Sequence, residues 1–206
     1  MDRMNLERWL AVIVMLTVLA GCTSTDAMVQ DQPTPSPLPP VPEQVSFTAP
    51  TLDRDVDRGA AHDLRTSFEG PVLMLWVAAG CSGCHDWTTM LKEELESGNL
   101  SNTTQLISVH RYPSFESVED MAARYGDVNS THYTPWPLLL PPDNTNVIDA
   151  ATGRMTDVDL YRGFNQPVTP TLQVLDGTGR LVWSSSTYWA NQTVLMEALN
   201  IMESSA

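Results

Sequence analysis

The chain of 206 residues contains only three cysteines, and their distribution excludes a fold braced by disulfides. Cys22 lies near the N-terminus, while Cys81 and Cys84 are separated by two residues. A bridge between Cys81 and Cys84 closes a loop too short to restrict the unfolded chain appreciably. The fold therefore depends on its own hydrophobic core, and the two neighbouring cysteines are expected to serve chemistry.

Positive charge is also scarce. The sequence has 11 Lys and Arg against 25 Asp and Glu, a net charge of −14, and Lys92 is its only lysine. No basic patch is available to neutralise phosphates, which excludes nucleic-acid binding. Such acidity is typical of proteins adapted to saline surroundings, where surface charge maintains solubility, and ordinary acidic drift gives the same composition.

The apolar run at residues 9–20, WLAVIVMLTVLA, is too short for a comfortable membrane span. Arg3 and Arg8 precede it and LAGC follows, which is the layout of a secretory signal. The ending resembles a bacterial lipobox, so residues 1–21 are predicted to be a lipoprotein signal peptide and Cys22 the site of lipid attachment. An uncleaved N-terminal anchor is the alternative. Both place the rest of the chain outside the cytoplasm and at a membrane.

Residues 22–44 are predicted to be a proline-rich tether. Six prolines lie between Gln32 and Glu43, and such a segment favours extended polyproline II geometry over core packing. The remaining residues, 45–206, are predicted to form one folded domain. We expect this domain at the outer face of the cell membrane, held there by its lipid anchor.

The first half of this domain predicts alternating strands and helices. Residues 71–79, PVLMLWVAA, form a continuous apolar run that indicates a strand buried on both faces. From Asp86 the apolar residues recur at helical spacing until Gly98 ends the pattern. A second strand is predicted at 105–112, and Ser117 begins a second helix with a capping box. This order indicates a parallel βαβ unit with a right-handed crossover.

The second half is less regular. A short strand is predicted at 138–140, and the polar residues from there to Tyr161 carry no clear pattern. Two later apolar runs are joined by Asp-Gly-Thr-Gly at 176–179, which indicates a β-hairpin. The chain ends in a predicted amphipathic helix.

The motif CSGCH at residues 81–85 fits two kinds of site: a Cys-x-x-Cys redox pair and the Cys-x-x-Cys-His attachment site of a c-type haem. A strand directly before the motif and a helix directly after it favour the redox pair. Amide groups at a helix N-terminus stabilise a thiolate on Cys81, and Cys84 follows one turn later to resolve a mixed disulfide. A haem-binding electron carrier would be expected to be mostly helical.

Metal binding is a further alternative for the same motif. The cysteine pair supplies two ligands, whereas structural zinc requires four. A copper-binding or partner-binding module without enzymatic activity therefore stays open beside the haem alternative.

Several motifs together resemble the TlpA/ResA-type family of membrane-anchored, thioredoxin-like thiol-disulfide oxidoreductases. The segment leading into GCSGC, the segment YTPWPLLLPPDN, and DLYRGFNQPVTPTLQVLDGTGRLVW are similar to the family's opening, inserted strand and proline-led hairpin. The resemblance covers nearly all of residues 45–206. It implies a thioredoxin fold of the α/β class, with a central mixed sheet flanked by helices, an N-terminal hairpin extension and an inserted strand and helix region. It also implies that Pro170 is cis and that Thr169 and Pro170 bind substrate beside the sulfurs.

The chain departs from this family at the positions of two acidic residues. Leu75 stands where many thioredoxins have a buried carboxylate, and Trp87 stands where family members often have a glutamate. The customary proline in or after the motif is also missing. His85 and Asp86 are the nearby candidates for tuning the thiolate.

The resulting hypothesis is an enzyme without a cofactor. Cys81 is predicted to be the attacking thiolate and Cys84 the resolving cysteine of a thiol-disulfide oxidoreductase that reduces disulfides of exported proteins. A membrane electron donor is expected as a further partner, because the sequence has no nucleotide-binding loop.

Overall fold

The computed structural model describes residues 37–205, and these contain ten strands and five α-helices. The strands are β1 (Val45–Ser46), β2 (Thr48–Pro50), β3 (Ala61–Asp63), β4 (Val72–Val77), β5 (Gln105–His110), β6 (Leu138–Leu139), β7 (Asn146–Asp149), β8 (Arg154–Asp159), β9 (Thr171–Leu175) and β10 (Leu181–Ser185). The helices are α1 (Leu64–Ser67), α2 (Ser82–Ser97), α3 (Val118–Met121), α4 (Leu160–Gly163) and α5 (Gln192–Ser204). A 3-10 turn occupies Asp55–Asp57, and α3 continues as a π-helical turn over Ala122–Gly126.

A five-stranded mixed sheet with the order β10-β9-β4-β5-β6 forms the centre of the fold. Strands β4, β5 and β6 run parallel, whereas β9 is antiparallel to β4, and β10 to β9. Helix α2 connects β4 to β5, which confirms the predicted parallel βαβ unit. All six residues of β4 are buried, as its apolar run predicts.

Alternate residues of β4 belong to two separate hydrophobic cores, because successive side chains of a strand point to opposite faces of the sheet. Leu73, Leu75 and Val77 belong to a core that includes residues of α2 and α5. Val72, Met74 and Trp76 belong to a second core that includes residues of β7, β8 and α4. Both faces of the central sheet are therefore covered.

The N-terminal extension, residues 48–63, covers the β6 edge of the central sheet. Strands β2 and β3 form the predicted hairpin. The Leu138 amide donates to the Asp57 carboxylate at 3.0 Å, and the Leu140 amide donates to the carbonyl oxygen of Pro50 at 2.8 Å. Edge strands present unpaired backbone groups, and here the extension pairs them.

A buried ion pair fixes the extension in this position. The Arg54 guanidinium lies 2.6 Å from the Asp57 carboxylate, whose side chain has no exposed surface. Arg54 also donates to the carbonyl oxygens of Tyr125, Thr134 and Trp136 at 3.0–3.1 Å. Burial alone would raise the pKa of Asp57, but hydrogen bonds from the Arg54 side chain, the Arg54 amide and the Leu138 amide outweigh it and lower that pKa.

The unassigned polar segment before Tyr161 folds into β7, β8 and α4. Strands β1, β7 and β8 form a separate three-stranded antiparallel sheet. In β8 only Val158 is buried, which explains why the hydrophobic pattern gave no signal for this strand. The predicted hairpin at 176–179 is confirmed as the connection between β9 and β10. Helix α2 begins at Ser82, before the change of pattern at Asp86.

The predicted signal peptide, Cys22 and the tether up to residue 36 lie outside the described residues. Of the residues predicted to form the tether, Pro39 accepts a hydrogen bond from Arg162, Glu43 pairs with Arg180 at 3.0 Å, and the Gln44 carbonyl accepts from the Ala150 amide at 2.9 Å. Within residues 37–205, no helix is both long enough and apolar enough to cross a membrane.

Candidate active site

The Cys81–Cys84 pair lies at the junction of β4 and α2, and the two sulfurs form a disulfide. The chain leaves β4 at Val77 and turns through Ala78, Ala79 and Gly80, a segment that we call the active-site turn. Cys84 is fully buried, whereas 9% of Cys81 is exposed. Cys81 is thus the sulfur that a partner reaches first.

Cys81 is the N-cap residue of α2. Its backbone is extended, and its Sγ accepts a hydrogen bond from the Cys84 amide at 3.1 Å. The first amides of a helix lack partners within the helix and carry positive partial charge. They therefore favour negative charge on Cys81 when the pair is reduced.

Gly83, in the middle of the motif, packs against two loops. A methyl group on Gly83 would lie 3.1 Å from Pro170 Cδ and would overlap the carbonyl oxygen of Tyr188. The Thr169–Pro170 peptide bond is cis, which confirms that prediction. The motif and the cis-proline loop therefore lie side by side, an arrangement that the predicted substrate-binding role of Thr169 and Pro170 requires.

The loop between β10 and α5 is the second neighbour of Gly83. Its Thr187 carbonyl accepts from the indole of Trp87 at 2.8 Å, and its Ala190 amide donates to the Asp86 carboxylate at 2.9 Å. Tyr188 and Trp189 are exposed by 45% and 61% and form an edge-to-face pair. Together with Val168, which is 54% exposed, they give the surface around the disulfide an apolar character.

Three side chains form hydrogen bonds with the backbone of the active-site turn. Tyr125 donates its hydroxyl to the Ala78 carbonyl at 2.8 Å. The Glu116 carboxylate accepts from the amides of Ala79 at 2.6 Å and Gly80 at 2.9 Å. His85 Nε2 lies 2.8 Å from the Ala79 carbonyl oxygen. Because a carbonyl only accepts, His85 carries its proton on Nε2.

His85 stacks on His132, with ring centroids 4.3 Å apart and planes inclined by 17°. Burial lowers the pKa of His85 below its ordinary value of 6.5, and the charge of Arg124 reinforces this. Burial also lowers the pKa of His132, reinforced by His85, Arg124 and Lys92. Near neutral pH both rings are therefore uncharged.

The proposed tuning residues thus have backbone partners: His85 the Ala79 carbonyl and Asp86 the Ala190 amide. Their effect on the thiolate stays a prediction. Leu75 and Trp87, at the positions where the family that the sequence resembles has acids, are fully buried. Cys84 Sγ lies 3.9 Å from the Trp76 carbonyl oxygen, an acceptor that cannot take up a proton.

The motif does not fit a c-type haem. Both sulfurs would have to face the haem edge and the histidine would have to coordinate iron, whereas Cys84 is fully buried beneath the turn and His85 Nε2 is directed at Ala79. Among the described residues, no three or more His, Cys, Asp or Glu side chains are grouped so that they could hold a metal ion.

Glu116, Tyr125, His132 and the Tyr188–Trp189 loop were not identified from the sequence. One signal was available for Glu116. It follows β5 by six residues, and the carboxyl ends of parallel strands share one edge of the sheet with the motif after β4. The histidine and the aromatic loop come from distant parts of the chain and carry no local signal.

Neither a comparison with protein-family models nor one with curated proteins found a match. Solved structures do match. The thioredoxin domain of a thiol-disulfide oxidoreductase from Bacteroides vulgatus has a TM-score of 0.52 at 15% identity, over 81% of this chain and 99% of that chain. An exposed lipoprotein thioredoxin from Streptococcus pneumoniae has a TM-score of 0.52 at 16% identity, over 75% and 98%.

StoA from Bacillus subtilis has a TM-score of 0.50 at 15% identity, over 78% of this chain and 99% of that chain. The fold is that of thioredoxin. The thioredoxin-like fold and its central mixed sheet, which the resemblance in sequence implied, are therefore confirmed. At identities this low the similarity shows the fold, and the activity rests on the geometry of the site.

Proposed function

We propose that the chain is a thiol-disulfide oxidoreductase that uses the Cys81–Cys84 pair. The observation that carries this proposal is the placement of the pair: a disulfide at the N-terminus of α2, with Cys81 partly accessible and Cys84 fully buried, directly beside the cis Thr169–Pro170 bond. A bridge used only for bracing would gain little at this spacing.

The reaction begins with the reduced pair. The Cys81 thiolate attacks one sulfur of a substrate disulfide, and the other substrate sulfur leaves as a thiolate that takes a proton from water. Cys84, deprotonated, then attacks Cys81 Sγ and releases the second substrate thiol. The substrate gains two electrons and two protons, and the Cys81–Cys84 disulfide forms. A dithiol donor at the membrane returns two electrons and two protons to the pair.

Resolution is the step for which the protein offers little help. The Cys84 thiol must lose its proton, yet no carboxylate contacts it among the described residues, and Leu75 and Trp87 fill the positions where related proteins have acids. We infer that the proton passes to water or to the departing thiolate, so the mixed disulfide lives longer than in enzymes with a buried acid.

The proposed direction is reduction of disulfides in exported proteins, with Thr169 and Pro170 holding the substrate segment. The proposed location is the outer face of the cell membrane, with Cys22 lipidated and residues 22–44 as a tether. The predicted signal peptide and lipobox support this. The alternative functions are a c-type haem carrier and a copper-binding or partner-binding module. They have less support, because Cys84 is fully buried and does not face a ligand at the surface.

The activity is tested with the full chain in detergent and an insulin disulfide as substrate. We expect Cys81→Ser to reduce the turnover to background. We expect Cys84→Ser to stop turnover as well and to accumulate a mixed disulfide through Cys81, visible as a mass increase that dithiothreitol removes. Wild-type turnover in Cys81→Ser would refute the mechanism.

The location is tested separately. In a bacterial host the wild type is expected to incorporate labelled fatty acid and Cys22→Ser is expected not to, with its insulin reduction unchanged. Equal incorporation by the two proteins, or none by the wild type, would contradict lipid attachment at Cys22. An absorbance scan without a Soret band is expected, and a Soret band on the purified chain would favour the haem carrier.

A further inference from the structure

Glu116 makes the most direct contact with the active-site turn from another part of the chain. It lies in the connection between β5 and α3, and both of its carboxylate oxygens accept backbone amides: Ala79 N at 2.6 Å and Gly80 N at 2.9 Å. Gly80 precedes Cys81 directly. A single side chain therefore fixes the two peptide groups that lead into the reactive sulfur.

The surroundings of Glu116 keep its charge close to the turn. Its side chain is 20% exposed and lies 3.4 Å from Nε2 of His110, which is 2% exposed. Burial lowers the pKa of His110, although Glu116 opposes this effect, so the ring is neutral near pH 7. No cationic group neutralises the carboxylate among the contacts of the described residues.

We propose that Glu116 is the positioning residue that shifts the Cys81–Cys84 pair toward its disulfide, and so makes the protein a stronger reductant. The proposal rests on the proposed function. It gives this chain an acidic residue at the active site, supplied by a loop, although the two positions where related proteins have acids hold Leu75 and Trp87.

Two effects act in the same direction. The Glu116 carboxylate binds the amide of Gly80, the residue directly before Cys81. Its negative charge disfavours a thiolate on Cys81 and so opposes the amides at the start of α2. The carboxylate also occupies the amides of Ala79 and Gly80, so these donors are not free to stabilise a thiolate. Destabilising the thiolate destabilises the reduced pair relative to the disulfide.

The test compares Glu116→Gln with Glu119→Gln. Glutamine keeps one oxygen acceptor for an amide but removes the charge. Glu119 is exposed, lies in the neighbouring helix α3 and has no side-chain contact with the active-site turn, so its variant removes the same charge as a matched control. The wild type and both variants are equilibrated with glutathione buffers at pH 7, and the reduced fraction is measured by thiol alkylation and mass spectrometry.

We expect Glu116→Gln to shift the equilibrium with glutathione threefold to tenfold toward the reduced pair, which corresponds to about 15–30 mV for a two-electron couple. The pH at which half of Cys81 is thiolate, measured by absorbance at 240 nm, is expected to fall in the same variant. Glu119→Gln is expected to match the wild type in both measurements. Equal values for Glu116→Gln and Glu119→Gln would overturn the proposal.

A second variant decides the matter if Glu116→Gln does not fold. Glu116→Asp keeps the charge but places it farther from the turn, because its side chain is shorter by one methylene. A smaller shift of the glutathione equilibrium toward the reduced pair is therefore expected, and no shift would refute the proposal.

The test also separates this proposal from the proposed function. A wild type without insulin reduction, but with the Glu116-dependent shift, refutes only the activity. Insulin reduction without the shift refutes only the role of Glu116.

Discussion

Substitution of Gly83 by alanine tests the packing that brings the motif, the cis-proline loop and the aromatic loop together. The new methyl group would lie 3.1 Å from both Pro170 Cδ and Tyr188 Cδ1 and would overlap the backbone oxygen of Tyr188. A backbone oxygen cannot swing away alone. The loop that carries it is held by hydrogen bonds of 2.8 Å to Trp87 and 2.9 Å to Asp86. The whole loop would therefore have to move.

Two opposing energies decide the outcome. Alanine is favoured over glycine inside a helix by about 1 kcal/mol. Forcing a methyl group into a close-packed site costs about 1–3 kcal/mol, and the fixed loop places Gly83 in the upper part of that range. We therefore expect a net loss of about 1–2 kcal/mol in the free energy of unfolding. For a domain of this size this lowers the Tm by about 2–8 °C.

The assay is thermal unfolding followed by circular dichroism, together with insulin reduction. Ser82→Ala is the matched control, because Ser82 is exposed, precedes Gly83 directly in the same helical turn and gains no clash from the change. Its Tm is expected to equal or slightly exceed that of the wild type. A Gly83→Ala protein as stable as Ser82→Ala would show that the Tyr188 loop does not rest on the motif.

Two further predictions concern stability. Asp57→Asn leaves Arg54 without its buried partner and is expected to cost about 3 kcal/mol at pH 7 in urea unfolding. Because the folded-state pKa of Asp57 is lowered, the variant's loss of unfolding free energy is complete above pH 3.8, the ordinary pKa of the group, and shrinks as the pH falls below it. A loss that does not change with pH would contradict the ion pair. The lowered pKa values of His85 and His132 predict a Tm that falls as the pH drops below 6.5, since the unfolded chain binds protons more readily. His132→Gln is expected to reduce that slope, and an unchanged slope would count against the stacked pair.

The central part of the fold follows from local patterns in the sequence. Six apolar residues in succession define β4, and a helical periodicity that ends at Gly98 defines most of α2. The capping box of Ser117 is present as predicted, and the Asp-Gly-Thr-Gly turn joins β9 and β10. These features depend on neighbours in sequence, so a single chain suffices to predict them.

The remaining parts depend on contacts between distant residues. Strand β7 is held by backbone pairing with β1 on one side and β8 on the other, and the exposed residues of β8 are polar apart from Met155, so no hydrophobic alternation marks this strand. The same holds at the site. The amides of Ala79 and Gly80 attract a carboxylate 36 or 37 residues away, and which acid satisfies them is decided by the course of the loop after β5.

The central claim is that Cys81 and Cys84 form a redox pair that acts as a reductant, and the reduction potential of the pair tests it most directly. The full chain is equilibrated in dithiothreitol and glutathione buffers of graded potential, and the dithiol fraction is measured by alkylation. We predict one two-electron transition near −270 mV, about the value of thioredoxin. A pair that stays oxidised well below about −300 mV would be a structural disulfide, and a midpoint near −120 mV would make the protein an oxidant; either result would contradict the account.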